Sequence, residues 1–176
     1  LQLRFKERPL APHRTEIAQW PARFPRTRVI VNDELEAALE LGAWGVHLGQ
    51  QDLDRYDPAA LRRAPLRVGI STHDDAELER ALEYGAAVLG FGPIFATDTK
   101  ALQHAPQGVE RLRRMVQRAP RPVIAIGGIG AETLAAVADT GVPMVAMIAY
   151  LERFPDAAAL QGLLDALRRP GMHGPR

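Results

Sequence analysis

Seven short apolar runs rich in β-branched residues recur along the chain, each separated from the next by a longer segment. They are LQLRF (1–5), RVIVN (28–32), WGVHLG (44–49), RVGIS (67–71), AVLGFG (87–92), PVIAIGG (122–128) and PMVAMIA (143–149). Several are apolar at consecutive positions, as parallel strands covered on both faces must be. Segments 13–23, 33–41, 73–84, 107–118, 131–139 and 156–169 carry apolar residues at helical spacing. Strands that alternate with helices, with no block of strands alone, restrict the chain to a parallel α/β architecture.

The punctuation agrees with this reading. Gly42, Gly85 and Gly141 stand just past the ends of three helical segments, where a left-handed residue stops a helix before the next strand. Thr72 with Asp75 reads as a capping box, and Asp156 as the cap of the last helix. Seven strands fit a (β/α)8 TIM barrel that begins at its second strand, with residues 1–176 forming one domain of strands 2 to 8. An open doubly wound sheet is the alternative, but the N-terminal part has no G-x-G-x-x-G turn.

Composition narrows the class of partner. With 47% apolar and 24% charged residues and a formal net charge of +1, the chain lacks the basic excess of a nucleic-acid-binding surface. It has no cysteine, which excludes disulfides and thiolate metal sites. No apolar run reaches the roughly 20 residues that span a bilayer, and the first residues form no signal peptide. The expectation is a cytoplasmic protein with no membrane or nucleic-acid partner; a homo-oligomer stays open.

In a barrel of this kind the chemistry sits at strand C-terminal ends and in the loops that follow them. Those positions hold Gln2, Arg4 and Lys6, then Asn32 and Asp33, then His47, Gln50 and Asp52. Ser71 and His73 follow, then Thr97, Thr99 and Lys100, and lastly the Gly127-Gly128 turn. Cations beside two carboxylates suit Mg2+ with a substrate phosphate, because this hard ion takes one or two carboxylates and otherwise water and phosphate oxygens. The IGGIGAETL stretch joins a strand, a glycine turn and a helix start, an arrangement that favours a phosphate. Each residue also has a plain structural reading. Asp33 could cap the helix DELEAALELG, His47 could be an interior histidine, and the glycines could form an ordinary βα turn. Arg4 and Lys6 could be solvated edge charges, and Trp20, Phe24 and Trp44 read as packing residues.

Taken together, LQLRFK, VNDELEAAL, GVHLGQQDL, GISTH, GPIFATDTK and AIGGI resemble, in order and spacing, the motifs of the thiamine phosphate synthase and thiazole tautomerase family. GVHLGQQDL and GPIFATDTK are the specific ones, and the resemblance runs from residue 1 to about 151. It implies a (β/α)8 barrel whose first βα unit is missing from this chain. It also implies a transferase that couples a hydroxymethylpyrimidine diphosphate with a thiazole phosphate, giving thiamine phosphate and pyrophosphate. On that resemblance Asp33 and Asp52 would hold Mg2+. Arg4, Lys6, Asn32, Ser71 and Lys100 would hold the pyrophosphate, with Gln2 and His47 beside the pyrimidine. Thr97, Thr99, Gly128 and the backbone of Ile148 and Ala149 would receive the thiazole phosphate. Of these, Lys100, Arg4, Lys6 and Ser71 would carry the catalysis.

The pattern departs from the family at Phe5, where a glutamate is usual, and at Ala149, where a serine is usual. The tautomerase sister group needs a proton-transfer residue, for which His73 or His47 would serve. Retention of Asp33, Asp52 and TDTK favours the synthase. A non-enzymatic regulator that binds thiamine precursors is a third reading, supported by Ala149 and the missing first βα unit.

Overall fold

The computed structural model describes residues 1–4, 11–97, 104–153 and 158. All seven expected strands are present: β1 (Gln2–Leu3), β2 (Ile30–Asn32), β3 (Gly45–Leu48), β4 (Arg67–Thr72), β5 (Val88–Phe91), β6 (Val123–Ile126) and β7 (Met144–Ala146). They follow one another in a seven-stranded sheet in chain order. Every described pairing is parallel. The chain is thus an α/β fold, and it divides into two compact units, Leu1–Leu89 and Gly90–Arg176.

In the first unit the helices are α1 (Arg14–Ala18), α2 (Trp20–Arg23), α3 (Leu35–Glu40), α4 (Pro58–Arg62) and α5 (Asp75–Glu83). Register aligns Leu3, Val31, Val46 and Val68 in one row and Asn32, His47 and Gly69 in the next. Side chains alternate along each strand. One face therefore presents Val31, Val46, Leu48, Val68 and Ile70, each at most 3% exposed. Helix α3 packs on β2 and β3, and α5 on β4, and they bring Ala37, Ala38, Leu78 and Ala81 into the same core. Each such Val, Leu or Ile contributes about 1.5–3 kcal/mol by leaving water. The opposite face carries Gln2, Asn32, His47 and Ser71, so it is polar where the first is apolar.

The second unit contains α6 (Gly108–Arg118), β6, α7 (Ala131–Ala138) and β7. Leu112 and Met115 of α6, Val123 and Ala125 of β6, and Leu134 and Val137 of α7 belong to its buried apolar set, with Phe91, Ile94 and Ile129.

Several local expectations change. The cap of α5 is Asp74, whose Oδ1 accepts the Glu77 N–H at 2.9 Å, and not Thr72 with Asp75. Strand β4 runs through Thr72, which is fully buried, so the helix starts two residues later than the sequence suggests. Residues 52–62, read without helix, form a 3-10 turn over Asp52–Arg55 and then α4, capped by Asp57 onto the Ala60 N–H at 2.8 Å. Trp44 and Phe24 are exposed rather than packed, each beside an arginine: Arg28 lies 4.8 Å from the Trp44 ring and Arg23 5.2 Å from Phe24. The glycines after the helices do take positive φ, 60° at Gly42, 80° at Gly85 and 78° at Gly141. Asp156 and nearly all of the last expected helix lie outside the described residues. No helix among the described residues is long and apolar enough to cross a membrane.

The turn that follows Asp52 is pinned by Leu53, which is fully buried. Leu53→Ala is expected to lower stability by about 2–5 kcal/mol, measured as a shift of the urea unfolding midpoint.

Candidate functional site

On the polar face of the first unit the register brings most of the sequence-derived candidates into contact. Gln2 Nε2 donates to Asn32 Oδ1 at 2.6 Å. His47 is 7% exposed and its Nε2 lies 2.9 Å from Ser71 Oγ. Gly69 pairs with His47 across the strands, and a Cβ built there would stand 2.8 Å from His47 Nδ1. The imidazole can therefore lie across β4 only because residue 69 has no side chain. Arg4 follows β1 and is exposed, while Lys6 is outside the described residues.

The loop after β3 is folded around its own carboxylate. Asp52 Oδ2 accepts the Gly49 N–H at 2.8 Å, and its Oδ1 lies 3.9 Å from Arg55 Nη2, beyond hydrogen-bond distance. Gln50 fastens this loop to β4 by donating from Nε2 to the Ser71 carbonyl at 2.7 Å. Its Oε1 is buried without a hydrogen-bond partner among the described residues. The Gln50 carbonyl accepts from Arg80, which also pairs with Asp54 at 2.5 Å.

Asp33 precedes the N-cap of α3. The N-cap position belongs to Glu34, which makes no side-chain cap bond. Instead Asp33 adopts φ 68°, the one non-glycine positive φ among the described residues, a conformation that costs about 1–3 kcal/mol. Its N–H donates to the His47 carbonyl at 2.8 Å and its carbonyl accepts from Arg55 Nη2 at 2.5 Å. Burial works against the Arg55 charge, but Tyr56, Asp52 and Glu34 outweigh it and hold the guanidinium above its ordinary pKa. Burial is also the chief reason that the Tyr56 phenol titrates above its usual value, against the lowering effect of Arg55. Further along, His73 Nδ1 lies 2.6 Å from Glu77 Oε2, which also accepts the His73 N–H at 2.7 Å.

In the second unit a different device places the backbone. Gly127 and Gly128 have φ 95° and 65°, and Cβ atoms there would lie 2.8 Å from Pro93 Cβ and 2.5 Å from the Ala96 carbonyl oxygen. Ile94 N–H and Phe95 N–H donate to the carbonyls of Ile126 and Gly127. The segment that leads to Thr97 is thus laid directly on the glycine turn. Thr97 is half-buried, while Thr99 and Lys100 lie outside the described residues. Ile148 and Ala149 are exposed after β7. Gly130 N–H donates to Thr133 Oγ1 at 3.0 Å and starts α7.

An apolar recess of about 250 Å³ lined by Leu1, Trp20, Phe24, Thr27 and Val29 includes none of these candidates. Sequence reading did not find Arg55, Tyr56, Glu77 or Arg80. The pair Arg55-Tyr56 follows GVHLGQQDL after one intervening residue, Asp54, and nothing in its composition separates it from a solvated loop.

The chain as a whole is similar to known proteins. A family model described as thiamine monophosphate synthase matches residues 1–151. The thiamine-phosphate synthase of Serratia proteamaculans is 44% identical over 171 residues, which cover 95% of this chain and 81% of the relative. That of Cronobacter sakazakii is 43% identical over 94% of this chain and 80% of its own length. Among solved structures, a thiamine phosphate pyrophosphorylase from Pyrococcus furiosus superposes with a TM-score of 0.76 at 29% identity, covering 96% of this chain and 83% of that one. A family model that matches residues 1–151, beside relatives more than 40% identical over most of the chain, has one reading: this chain belongs to the thiamine monophosphate synthase family.

Proposed function

We propose that the chain is a cytoplasmic, Mg2+-dependent thiamine phosphate synthase. It joins hydroxymethylpyrimidine diphosphate to thiazole phosphate and releases pyrophosphate. The observation that carries this reading is the placement of Asn32, Asp33, His47, Asp52 and Ser71 on the C-terminal ends of three adjacent parallel strands and the loops after them, in a chain of that family. In this reading residues 1–176 are one barrel domain, and the seven strands are the counterparts of strands 2 to 8 of a (β/α)8 barrel.

The donor set fits the ion. Asp33 and Asp52 offer hard carboxylate oxygens from consecutive strand-end loops, and Asp52 Oδ1 makes no close hydrogen bond to Arg55. Bound there, Mg2+ would offset the negative charge of the departing pyrophosphate. Departure of pyrophosphate with the electron pair of the carbon–oxygen bond leaves positive charge on the pyrimidine methylene, which the thiazole nitrogen then attacks, so the protein's task is electrostatic. Arg4, Lys6 and Lys100 supply positive charge toward the leaving group. Asn32 and Ser71 supply neutral donors, and Gln2 and His47 orient the pyrimidine. His47 Nε2 lies 2.9 Å from Ser71 Oγ, and in the tautomer that carries the proton on Nε2 the hydroxyl oxygen accepts from the imidazole and leaves its own proton for phosphate. In the second unit Thr97, Thr99, Gly128 and the backbone of Ile148 and Ala149 take the thiazole phosphate. A glycine turn with positive φ, as at Gly127 and Gly128, lets backbone N–H groups turn toward such an anion.

The His73–Glu77 pair favours a second reading, the tautomerase of the sister group, because a carboxylate-oriented imidazole suits proton transfer. Incubation with both substrates and Mg2+ separates the two. Formation of thiamine phosphate with pyrophosphate is the expected result, and aromatisation of the thiazole carboxylate phosphate without any coupling would overturn the first reading.

Two substitutions follow. Asp52→Asn keeps an oxygen that can accept the Gly49 N–H, so it should leave the unfolding midpoint in place while lowering kcat/KM by about 100-fold or more. Ser71→Ala should raise KM for the diphosphate by roughly 10-fold and leave KM for the thiazole phosphate unchanged, as steady-state kinetics with each substrate varied would reveal.

A further inference from the structure

We propose that Arg55 is a positioning residue of the metal site, a clasp that fixes the turn from which Asp33 is presented. The inference rests on the assignment of Asp33 and Asp52 to Mg2+ and goes beyond it, because Arg55 belongs to none of the motifs that mark the family.

Three observations meet at this side chain. Asp33 holds a left-handed backbone that a non-glycine residue keeps only when its surroundings impose it. Both of its backbone polar groups are engaged from the β3 side, the N–H by the His47 carbonyl at 2.8 Å and the carbonyl by Arg55 Nη2 at 2.5 Å. Arg55 is itself held in place. It ends the 3-10 turn that begins at Asp52, its guanidinium lies 5.3 Å from the centroid of the Tyr56 ring, and Nη2 is 3.0 Å from the Tyr56 hydroxyl, which reaches Glu36 at 3.4 Å. One guanidinium thus ties the loop after β2 to the loop after β3. Its ion pair with Asp52, at 3.9 Å and with the arginine side chain 49% exposed, contributes little on its own. The short, charge-assisted bond to the Asp33 carbonyl is the part with geometric content. A planar fork can stack on a ring and donate to a carbonyl at once, which an ammonium does less well.

The alternative role has the opposite sign. A cation 3.9 Å from Asp52 Oδ1 could simply compete with a metal ion, and its removal would then tighten Mg2+ binding. The clasp requires that its removal weaken it.

The test is calorimetric titration of the full chain with Mg2+ alone, together with hydrogen exchange of the Asp33 amide in the metal-free protein. Wild type, Arg55→Ala, Arg55→Gln and Asp52→Asn are compared, with thermal midpoints as a check on folding. Arg55→Ala should bind Mg2+ about 10-fold more weakly, whereas Arg55→Gln, which keeps a donor without the charge, should stay within about threefold of wild type. The Asp33 amide should exchange faster in Arg55→Ala and not in Arg55→Gln. Equal or tighter Mg2+ binding by Arg55→Ala, or unchanged exchange at Asp33, overturns the clasp. Equal binding by wild type and Asp52→Asn would instead remove the metal assignment and the clasp's metal role with it. In that case the exchange data would still report whether Arg55 orders the turn.

Discussion

The register of the parallel strands in the first unit is the constraint on which the candidate site depends. Asn32, His47 and Gly69 share one row across β2, β3 and β4, while Val31, Val46 and Val68 fill the row before it. Because side chains alternate, a slip of one residue in β2 or β3 would send Asn32 or His47 into the core and bring a valine to the polar face. The apolar row is at most 3% exposed, so that exchange would bury polar groups and expose three well-packed side chains. The burial that stabilises the sheet is therefore also what aims the polar residues.

A polar face on a largely buried strand must satisfy its own hydrogen bonds, and most of the contacts described in the first unit do so. Gln2 answers Asn32, His47 answers Ser71, and Gln50 reaches the Ser71 carbonyl. These bonds join side chains on different strands and make the strand ends into a connected surface rather than a row of separate groups. Room for the largest of them comes from an omission, since only a glycine at position 69 leaves His47 its place.

The strands were legible because seven apolar runs separated by helical spacing admit few other readings. Their ends were less so. Thr72 looked like a cap but belongs to β4, and the true cap, Asp74, could not be told from two neighbouring polar residues without knowing where the strand stops. Helix α4 is five residues long, too short for periodicity to reveal, although the Asp57-Pro58 pair that starts it is a recognisable signal. The candidate residues were visible as strand-end motifs. The contacts of Arg55 were not, because they link residues 22 positions apart through a backbone carbonyl, which leaves no trace in residue type. The conformation of Asp33 was likewise hidden, since aspartate before a helix ordinarily reads as a cap.

In the second unit, Gly92, Gly127 and Gly128 face backbone rather than flexible side-chain ends. Added Cβ atoms would meet the Ile126 carbonyl oxygen, the Pro93 ring and backbone, and the Ala96 carbonyl oxygen. The segment 92–97 and the turn 126–128 consequently form an interlocked pair, with neither able to accept a side chain at its glycines unless the other first withdraws. A change of backbone course in one therefore requires a matching change in the other. Loop exchanges among related proteins would have to transplant both stretches at once to preserve the fit.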